Sequence, residues 1–399
     1  MSKFTLASVD NREEITIALI GNVDSGKSTT IGVLTKGQLD DGKGHARHSI
    51  MTHQHEQQTG RTSSVSYNYT LDEKRVYTFI DLCGHESYLR TTINGLSSGY
   101  ADLAIVCISD KITKMTKEHI ALAHTLNIPM LILMTKVDFI PKEKTKNLVQ
   151  KLKRIFSSVK KKMFAVKKLS DMDFIHQSDV LIPYLMISNK SGYNVELLKQ
   201  ITQTYPLKQQ TYINGFCIEH VWYVHGQGIV VSGLVGQEIT NDSVLNLGPF
   251  DDGKFIPVRA KSLHNDYRTT VDKLSVGQRG CICLKFSKSD KNKFKIRVGQ
   301  IIAKDIPMVC REFIAQVKIF HHSTSIKKGY QAYVNCGLVK ETVVFEEIYS
   351  ENVARSGHDV KVRMRFLKYI NYIEPGQKII FREGTTRGIG VVKEVIACQ

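Results

Sequence analysis

The sequence lacks the features that would place it in a membrane, in the secretory pathway or around a structural metal. It has no run of about 18 apolar residues, which excludes an ordinary membrane-spanning helix. Residues 1–14 are polar, so we expect no secretory signal peptide. The eight cysteines are scattered, and no Cys-x-x-Cys motif pairs with a second one. This argues against structural zinc and indicates reduced thiols in a cytoplasmic protein.

Positive charge is what the chain has in excess. Its 399 residues include 55 lysines and arginines against 38 acidic residues, a formal net charge of +17. Such a balance favours a polyanionic partner such as RNA, although a basic, merely solvated surface has the same composition. Residues 142–168 hold eleven of the basic residues and one acidic residue. A helix over 147–156 would turn Lys151, Lys153 and Arg154 outward, towards phosphates or towards water alone.

The pattern of apolar residues changes near residue 206. Before it, short apolar runs alternate with helical spacing, which is typical of a doubly wound, mainly parallel α/β sheet. After it, helical periodicity is almost lost, and short strand-like runs recur between turn residues, as in β-barrels. We therefore predict an α/β domain over 1–206, β-barrel domain II over 207–305 and β-barrel domain III over 306–399.

Nine elements of the first domain can be placed from these patterns. The predicted strands are Ile15–Ile20, Val76–Asp81, Ala101–Ser109, Ile128–Met134 and Leu181–Ile187. The predicted helices are Ser28–Leu39, Thr116–Leu126, Asn147–Phe156 and Asn194–Thr202.

The strongest motif follows the first strand. Residues 21–28, Gly-Asn-Val-Asp-Ser-Gly-Lys-Ser, fit the P-loop pattern G-x-x-x-x-G-K-[ST] between a strand and a helix. Backbone N–H groups and the positive helix end would cradle phosphate oxygens. Lys27 would reach the β- and γ-phosphates, and the Ser28 hydroxyl would ligate Mg²⁺. The candidate phosphate-binding residues are Asn22, Val23, Asp24, Ser25, Gly26, Lys27, Ser28 and Thr29.

A later apolar strand ends in Thr-Lys-Val-Asp at residues 135–138. The Asp138 carboxylate can accept hydrogen bonds from guanine N1–H and the exocyclic amine, a pair that adenine does not offer. GTP and GDP are therefore the expected ligands, with the stem of Lys136 over the base. Residues 188–190 would complete the pocket through backbone N–H groups. The candidate base-binding residues are Thr135, Lys136, Asp138, Ser188, Asn189 and Lys190.

A further motif, Asp-Leu-Cys-Gly-His at residues 81–85, closes the strand that begins near Val76. Asp81 can hold Mg²⁺ through water, and Gly84 lets its N–H approach the γ-phosphate closely. His85 is the candidate catalytic residue, because it could orient the attacking water as a glutamine does in other GTPases. An exposed histidine is more often an ordinary surface residue, and the spacing from Asp81 is what favours catalysis.

A long polar stretch, residues 42–69, precedes that motif. Its four histidines make a metal site conceivable: His45, His48, His53 and His55. We favour a mobile switch loop, which the γ-phosphate and Mg²⁺ order and which hydrolysis releases. Thr62 is the candidate residue that reaches Mg²⁺ from this loop, with Ser63 and Ser64 as alternatives. The candidate metal ligands are thus Ser28, Thr62 and Asp81.

Taken together, the motifs resemble the translational GTPases related to EF-Tu and elongation factor 1-alpha, over essentially the whole chain. Residues 226–233 (GQGIVVSG) are similar to the G-x-G-T-V-V-x-G hairpin of that family's second domain. Residues 382–392 (REGTTRGIGVV) are similar to the R-E-G-x-x-x-G-x-G-x-V signature of its third domain. The branch of GTP-binding proteins 1 and 2 also shares D-L-C-G-H-E at 81–86, G-R-T-S-S-V at 60–65 and a Leu-Gly-Pro turn at 247–249.

The resemblance implies a P-loop GTPase domain followed by two β-barrels, GTP hydrolysis, and GTP-dependent binding of aminoacyl-tRNA, with a link to RNA turnover. It also implies that Asp24 can help to hold a monovalent cation. We expect the ribosome and RNA as partners, an exchange factor or RNA-decay machinery as further candidates, no membrane, and a monomer.

The chain departs from the family pattern at three points. Thr135 stands where elongation factors have the asparagine of N-K-x-D, and Cys83 replaces a common proline. The switch string R-G-I-T-I is absent, which leaves the alternatives to Thr62 open. Cellular members of the branch carry a long N-terminal extension, whereas this sequence starts almost at the first strand. A compact viral member is our hypothesis for that difference.

Three functions fit these observations. The first is a GTPase that carries aminoacyl-tRNA to the ribosome or acts there. The second is a GTP-switched adaptor in ribosome rescue or RNA decay that does not bind charged tRNA. The third is a GTPase subunit coupled to sulfate activation, where the same three domains occur; it predicts an acidic or neutral surface, and the charge of +17 argues against it.

Overall fold

The computed structural model describes residues 12–50, 65–98, 101–207, 214–266, 269–287, 294–320, 325–349, 353–383 and 385–397. They form two compact units, 12–207 and 214–397. Among the described residues, no helix is both long and apolar enough to cross a membrane. No disulfide joins the seven cysteines in this part of the chain.

The first unit is a layered α/β domain. Its strands are β1 (Glu13–Gly21), β2 (Ser66–Leu71), β3 (Arg75–Asp81), β4 (Leu103–Ile108), β5 (Met130–Met134), β6 (Lys162–Ala165) and β7 (Leu181–Met186). Its helices are α1 (Lys27–Lys36), α2 (His45–His48), α3 (Leu89–Ser98), α4 (Lys114–Thr125), α5 (Lys142–Ser158), α6 (Asp171–His176) and α7 (Val195–Thr204). A short 3₁₀ turn, Glu86–Tyr88, precedes α3.

The seven strands make one sheet in the order β2-β3-β1-β4-β5-β7-β6. All neighbours pair in parallel except β2, which is antiparallel to β3. Every residue of β4 and β5 is buried, because helices cover both faces of a parallel sheet. All nine elements that the sequence predicted in this domain are present, and the predicted doubly wound fold is confirmed.

Five elements were not predicted: β2, β6, α2, α3 and α6. The stretch 42–69, predicted as a switch loop, contains two regular elements, since α2 begins at His45 and β2 at Ser66, and its residues 51–64 lie outside the described residues. Strand β2 pairs along its whole length with β3 at the edge of the sheet, and its residues are only half-buried. Its sequence, Ser-Tyr-Asn-Tyr-Thr-Leu, alternates polar with aromatic or apolar residues, a strand signal that the prediction of a loop over 42–69 overlooked.

The second unit begins with a barrel of short strands. These are β8 (Phe216–Val224), β9 (Gly228–Val235), β10 (Ile239–Thr240), β11 (Val244–Gly248), β12 (Ile256–Asn265), β13 (Thr270–Val271), β14 (Lys273–Leu274), β15 (Arg279–Lys285) and β16 (Ile301–Ala303). Six of them follow each other as β11-β16-β8-β9-β15-β12, and pairing of β11 with β12 closes the ring. Alternate residues, such as those of β12, fill the interior.

A second closed barrel follows. Its strands are β17 (Cys310–Ile319), β18 (Ile326–Lys327), β19 (Gln331–Cys336), β20 (Val339–Ile348), β21 (Val353–Ala354), β22 (Asp359–Phe366), β23 (Lys378–Glu383) and β24 (Thr385–Ala397). The ring order is β17-β22-β20-β19-β23-β24, closed by β17 and β24. Its core is a single cluster that includes Phe313, Phe345, Phe366 and Phe381. The predicted succession of two barrels is confirmed.

The two barrels pack on each other through a small apolar cluster. Cys217 and Ile301 of the first barrel meet Leu338 and Tyr372 of the second. Arg297 adds polar contacts across the same junction. Its guanidinium donates to the carbonyl of residue 370 at 2.7 Å and lies 4.4 Å from the centre of the ring at position 369. Apolar burial and a charge-assisted hydrogen bond together hold the barrels in one unit.

Candidate nucleotide-binding site

The loop between β1 and α1 has the backbone that a phosphate-binding loop requires. Gly21 has φ 143°, and a Cβ there would lie 2.3 Å from the carbonyl oxygen of Cys107. Asp24 and Gly26 are also in the left-handed region, at φ 59° and 86°. Gly26 precedes α1 without a side-chain cap, so the first N–H groups of the helix remain available to an anion.

Two side chains hold this loop in its curled form. Lys27 is only 6% exposed, and its Nζ donates to the carbonyl oxygen of Asn22 at 2.9 Å. The hydroxyl of Ser25 donates to the same carbonyl at 2.8 Å. The amine of Lys27 therefore lies inside the loop, against the carbonyl of Asn22.

A hydroxyl and a carboxylate meet beside the loop. Ser28, in the first turn of α1, donates to Oδ2 of Asp81 at 2.6 Å, and Asp81 is 2% exposed at the end of β3. Both groups offer oxygen atoms, which Mg²⁺ prefers, so the pair fits that ion. The third predicted ligand, Thr62, and its alternatives Ser63 and Ser64 lie outside the described residues.

Gly84 is the point where the segment after β3 touches the phosphate loop. A Cβ at this position would lie 2.6 Å from the backbone of both Asn22 and Val23, so any other residue would push the two segments apart. His85 follows and is exposed. Its Nδ1 accepts from the N–H of Ser87 at 3.2 Å, which leaves Nε2 as the nitrogen that can contact water.

His85 also borders a cavity of about 530 Å³. Residues of the phosphate loop, the end of β4 and the start of α5 line this cavity together with it: Asn22, Val23, Asp24, Asp110, Lys111 and Lys144. The predicted catalytic histidine and the phosphate loop therefore share one open space, although 60 residues of sequence separate them.

The base motif is tied to the phosphate loop by a single hydroxyl. Thr135 is fully buried, and its Oγ1 donates to the carbonyl of Ser25 at 2.8 Å. This threonine thus links the two motifs although it replaces the asparagine of N-K-x-D. Lys136 adopts φ 58°, and both it and Asp138 are exposed on a cavity of about 430 Å³.

The loop after β7 reaches the same cavity. Asn189 donates from Nδ2 to Oγ1 of Thr30 on α1 at 2.9 Å, and its carbonyl accepts from the N–H of Asp40. Ser188 accepts from the N–H groups of residues 190 and 191 at 3.3 and 3.0 Å. Asn189 and Lys190 line the cavity with Gly26, Thr29 and Asp138. Nine of the predicted nucleotide-binding residues line these two cavities: Asn22, Val23, Asp24, Gly26, Thr29, Lys136, Asp138, Asn189 and Lys190.

The histidine cluster gives no metal site among the described residues. Within them, no group of three or more His, Cys, Asp or Glu side chains could hold a metal ion. His45 and His48 lie on α2, whereas His53 and His55 lie outside the described residues.

Sequence reasoning missed one polar residue beneath the phosphate loop. His119, on the buried face of α4, is fully buried, and its Nδ1 accepts from the N–H of Gly21 at 3.1 Å. Burial lowers the pKa of His119 to about 3, and the charge of Lys27 adds to the effect. The imidazole is therefore neutral and supports the first residue of the loop. A histidine at the apolar spacing of Met115 and Leu122 was the available signal.

This histidine should make the stability of the first unit depend on pH. Its ordinary pKa is 6.5, so between about pH 6.5 and 3 the unfolded chain takes up a proton that the folded chain excludes. Stability therefore falls as the pH falls, by about 2 kcal/mol between about pH 7.5 and 5. Urea titrations followed by circular dichroism measure it, because all the described helices lie in this unit.

The matched control for that measurement is His119→Gln, whose amide oxygen can still accept the N–H of Gly21 but does not titrate. Burial also lowers the pKa of His176, so wild type and variant share that contribution, and the difference between their slopes isolates His119. Equal slopes in the two proteins would contradict the assignment.

The strand order, with the P-loop motif after β1 and the Thr-Lys-Val-Asp motif after β5, places the first unit in the class of P-loop GTPases. The model of the elongation factor Tu GTP binding domain matches residues 12–207. GTP-binding protein 2 of Mus musculus is 34% identical over 97% of this chain and 71% of its own length. The chain therefore belongs to the family of EF-Tu-type translational GTPases, and it binds and hydrolyses GTP.

More distant relatives agree with this fold. Elongation factor 1-alpha of Methanobrevibacter smithii is 26% identical over 90% of this chain and 87% of its own. The structure of the S. cerevisiae Ski7 GTPase-like domain, bound to GTP, superposes with a TM-score of 0.72 at 15% identity and covers all of both chains. At that identity the superposition shows the shared fold alone.

Proposed function

We propose that this GTPase binds aminoacyl-tRNA in its GTP state and delivers it to, or acts with it at, the ribosome. The observation that carries the proposal is an exposed aromatic surface on the first barrel, next to strands that carry small side chains. A translational GTPase that only signalled through its nucleotide would not need such a surface. Family membership and the basic composition of the chain support RNA as its ligand.

The aromatic surface lies at the end of β8. A bulge between Ile218 and His220 shifts the strand, and the residues beyond it turn outward. The rings of His220 and Trp222 stack, with centroids 5.4 Å apart and planes at 18°. Trp222 is 45% exposed and Tyr223 is 72% exposed. His220 and Trp222 lie two residues apart, so they share one face of the strand, and their stacked rings offer a flat surface to a base or a terminal ribose.

The neighbouring strands leave this surface open. His220 pairs across the sheet with Ser232 of β9, which pairs with Cys281 of β15, which pairs with His264 of β12. Serine and cysteine are too small to cover the aromatic rings. Ser232 and His264 also bring hydroxyl-to-imidazole contacts, which offer donors and acceptors to a ribose or an ester. The row suits a nucleotide end better than an apolar peptide.

In this proposal the nucleotide site is the switch, because aminoacyl-tRNA is bound only while GTP is present. In our proposal the N–H groups of the loop 22–26 and the amine of Lys27 hold the phosphates, and Asp138 reads guanine. Ser28 and, through water, Asp81 would hold Mg²⁺, which supplies positive charge to the β- and γ-phosphate oxygens. A monovalent cation beside Asp24 is part of the proposal.

Hydrolysis would then depend on how the γ-phosphate and the attacking water are positioned. Gly84 would bring its N–H to the γ-phosphate, and Nε2 of His85 would orient the attacking water. Turnover without a partner is slow in many such GTPases, so the ribosome, and an exchange factor for GDP release, belong to the proposal.

Protection of the aminoacyl ester tests the proposal. Charged tRNA is mixed with the protein bound to GDP or to a non-hydrolysable GTP analogue, and deacylation is followed with time. We expect protection only with the analogue. Trp222→Ala should weaken the complex about 10-fold, because stacking on one aromatic ring contributes 1–3 kcal/mol. Tyr349→Ala is the control, since Tyr349 is 46% exposed on the other barrel.

The same experiment decides between the two functions. Trp222 is the only tryptophan, so its fluorescence reports directly on occupancy of the aromatic surface. Absence of protection in both nucleotide states, with GTP binding intact, would refute delivery of charged tRNA. That result would favour the adaptor in ribosome rescue or RNA decay.

A further inference from the structure

Helix α5 concentrates the positive charge of this protein on one face. Residues 142–168 carry eleven of its 55 lysines and arginines and one of its 38 acidic residues. The helix packs on the sheet through a buried stripe of Thr145, Leu148, Val149, Leu152 and Phe156. All six of its cations are exposed, and we call them the basic face: Lys142, Lys144, Lys146, Lys151, Lys153 and Arg154.

These cations work against the stability of the helix that carries them. Lys142 and Lys144 lie in its first turn, at the positive end of the helix dipole, with Glu143 as the one acidic residue there. The last turn, where cations would be favourable, has none. Lys142 and Lys146 repel each other at a spacing of four residues. A helix selected for stability alone would place its charges the other way round.

Few acidic groups neutralise the face. Lys144 is 3.6 Å from Asp110 and Lys146 is 3.6 Å from Glu143. Both pairs have side chains at least 49% exposed, so each contributes little. In the described part of the chain, Lys151, Lys153 and Arg154, in the second half of the helix, make no ion pair. The positive charge there is available to a partner.

The geometry suits a line of phosphates. A helix of 17 residues is about 25 Å long. By helical spacing, Lys142, Lys146 and Lys153 lie along one side of the exposed surface of the helix, and Lys144 and Lys151 lie along the other. Arg154 lies between these two rows, opposite the buried stripe. Cations run from the first turn as far as Arg154, and Lys160 and Lys162 add positive charge beyond the end of the helix. An RNA backbone can meet several of them at once.

We propose that the basic face binds the phosphodiester backbone of RNA without reading its sequence. Every fully exposed side chain of α5 is charged or polar, and protein interfaces need an apolar centre that this face lacks. An RNA backbone needs only cations. The contact goes beyond the proposed function, because it requires neither an aminoacyl group nor bound GTP.

The test is binding of an uncharged RNA duplex of about 20 base pairs to the GDP-bound protein, followed by fluorescence anisotropy at several salt concentrations. The triple variant Lys151→Glu, Lys153→Glu, Arg154→Glu should bind at least about 10-fold more weakly at about 0.1 M salt. The slope of log affinity against log salt concentration is negative, and its magnitude should decrease by about two to three in this variant.

Two further variants keep the result interpretable. Lys304→Glu, Lys327→Glu, Lys328→Glu changes the net charge equally at exposed lysines of the barrels, and it should retain binding. The neutral variant Lys151→Gln, Lys153→Gln, Arg154→Gln covers the case in which charge reversal prevents folding, and it should also lose affinity for the duplex. Retained affinity for GDP shows that a variant is folded.

Two outcomes would overturn the proposal. Equal loss in the helix and barrel variants would mean that only net charge matters. Tighter binding of a polyglutamate peptide than of the duplex by wild type, abolished by the helix variant, would make an acidic protein the partner. Failure of charged-tRNA protection would leave this assay untouched, because uncharged RNA and GDP are used.

Discussion

Replacing Asp138 by asparagine is expected to change the preferred base of this GTPase from guanine to xanthine. The carboxylate is exposed on the cavity that Asn189 and Lys190 also line, and it can accept two hydrogen bonds from guanine. An amide offers a donor where guanine also has one, whereas xanthine has a carbonyl there. Loss of two charge-assisted hydrogen bonds is worth about 3 kcal/mol, so GTP affinity should fall roughly 100-fold.

Competition of GTP and XTP against a fluorescent GDP measures this change. Asp110→Asn is the matched control, because Asp110 borders the neighbouring cavity and pairs with Lys144 rather than with a base. It should leave the base preference unaltered. If Asp138→Asn gained no affinity for XTP, the carboxylate would not be the group that reads the base.

Removing the imidazole of His85 is expected to slow hydrolysis roughly 100-fold while GTP binding changes little. The side chain is exposed beside the phosphate loop, its Nδ1 accepts a hydrogen bond from the N–H of Ser87, and its Nε2 is left for water. His85→Ala should therefore lower the single-turnover rate and leave the Kd for GTP within about 2-fold, since no contact to the base or to Lys27 is lost.

Two further variants, a control and a partial rescue, accompany that measurement. Glu86→Ala, in the same turn, removes an exposed pair with Lys114 and should have no effect on the rate. His85→Gln should recover part of the activity, because glutamine orients water in other GTPases. An unchanged single-turnover rate in His85→Ala would rule out this histidine as the residue that positions water.

The two departures at the nucleotide site have different structural consequences. Thr135 is too short to be a simple stand-in for asparagine, yet its hydroxyl reaches the carbonyl of Ser25 and joins the base loop to the phosphate loop. Cys83 is fully buried, and its carbonyl accepts from the hydroxyl of Thr92 on α3. Packing, this bond to the following helix and a backbone bond from the N–H of Leu82 to the carbonyl of Leu19 all hold the segment between Asp81 and His85.

The elements that sequence patterns predicted are those whose burial is one-sided or complete. The runs that became β4 and β5 are continuous apolar segments, and the helices α4 and α5 have clear apolar stripes. Strand β2 has a short alternation of residues that are only half-buried, and helix α6 has six residues of which Met172 and Ile175 are buried. Such short signals become decisive only through tertiary contacts, namely the pairing of β2 with β3 and the packing of α6 on the core.

The sequence by itself determined the phosphate loop, the Asp-Leu-Cys-Gly-His and Thr-Lys-Val-Asp motifs and the change from α/β to barrels. A phosphate is bound by successive backbone N–H groups, so a handful of adjacent residues specifies that part of the chemistry. Only the tertiary structure decided that His119 supports Gly21 across 98 residues and that Thr135 reaches Ser25 across 110. It also decided that His220 and Trp222 face outward together, because a bulge and the register of three strands set that surface. Contacts between distant residues follow from how the sheet is assembled, and local spacing carries no record of them.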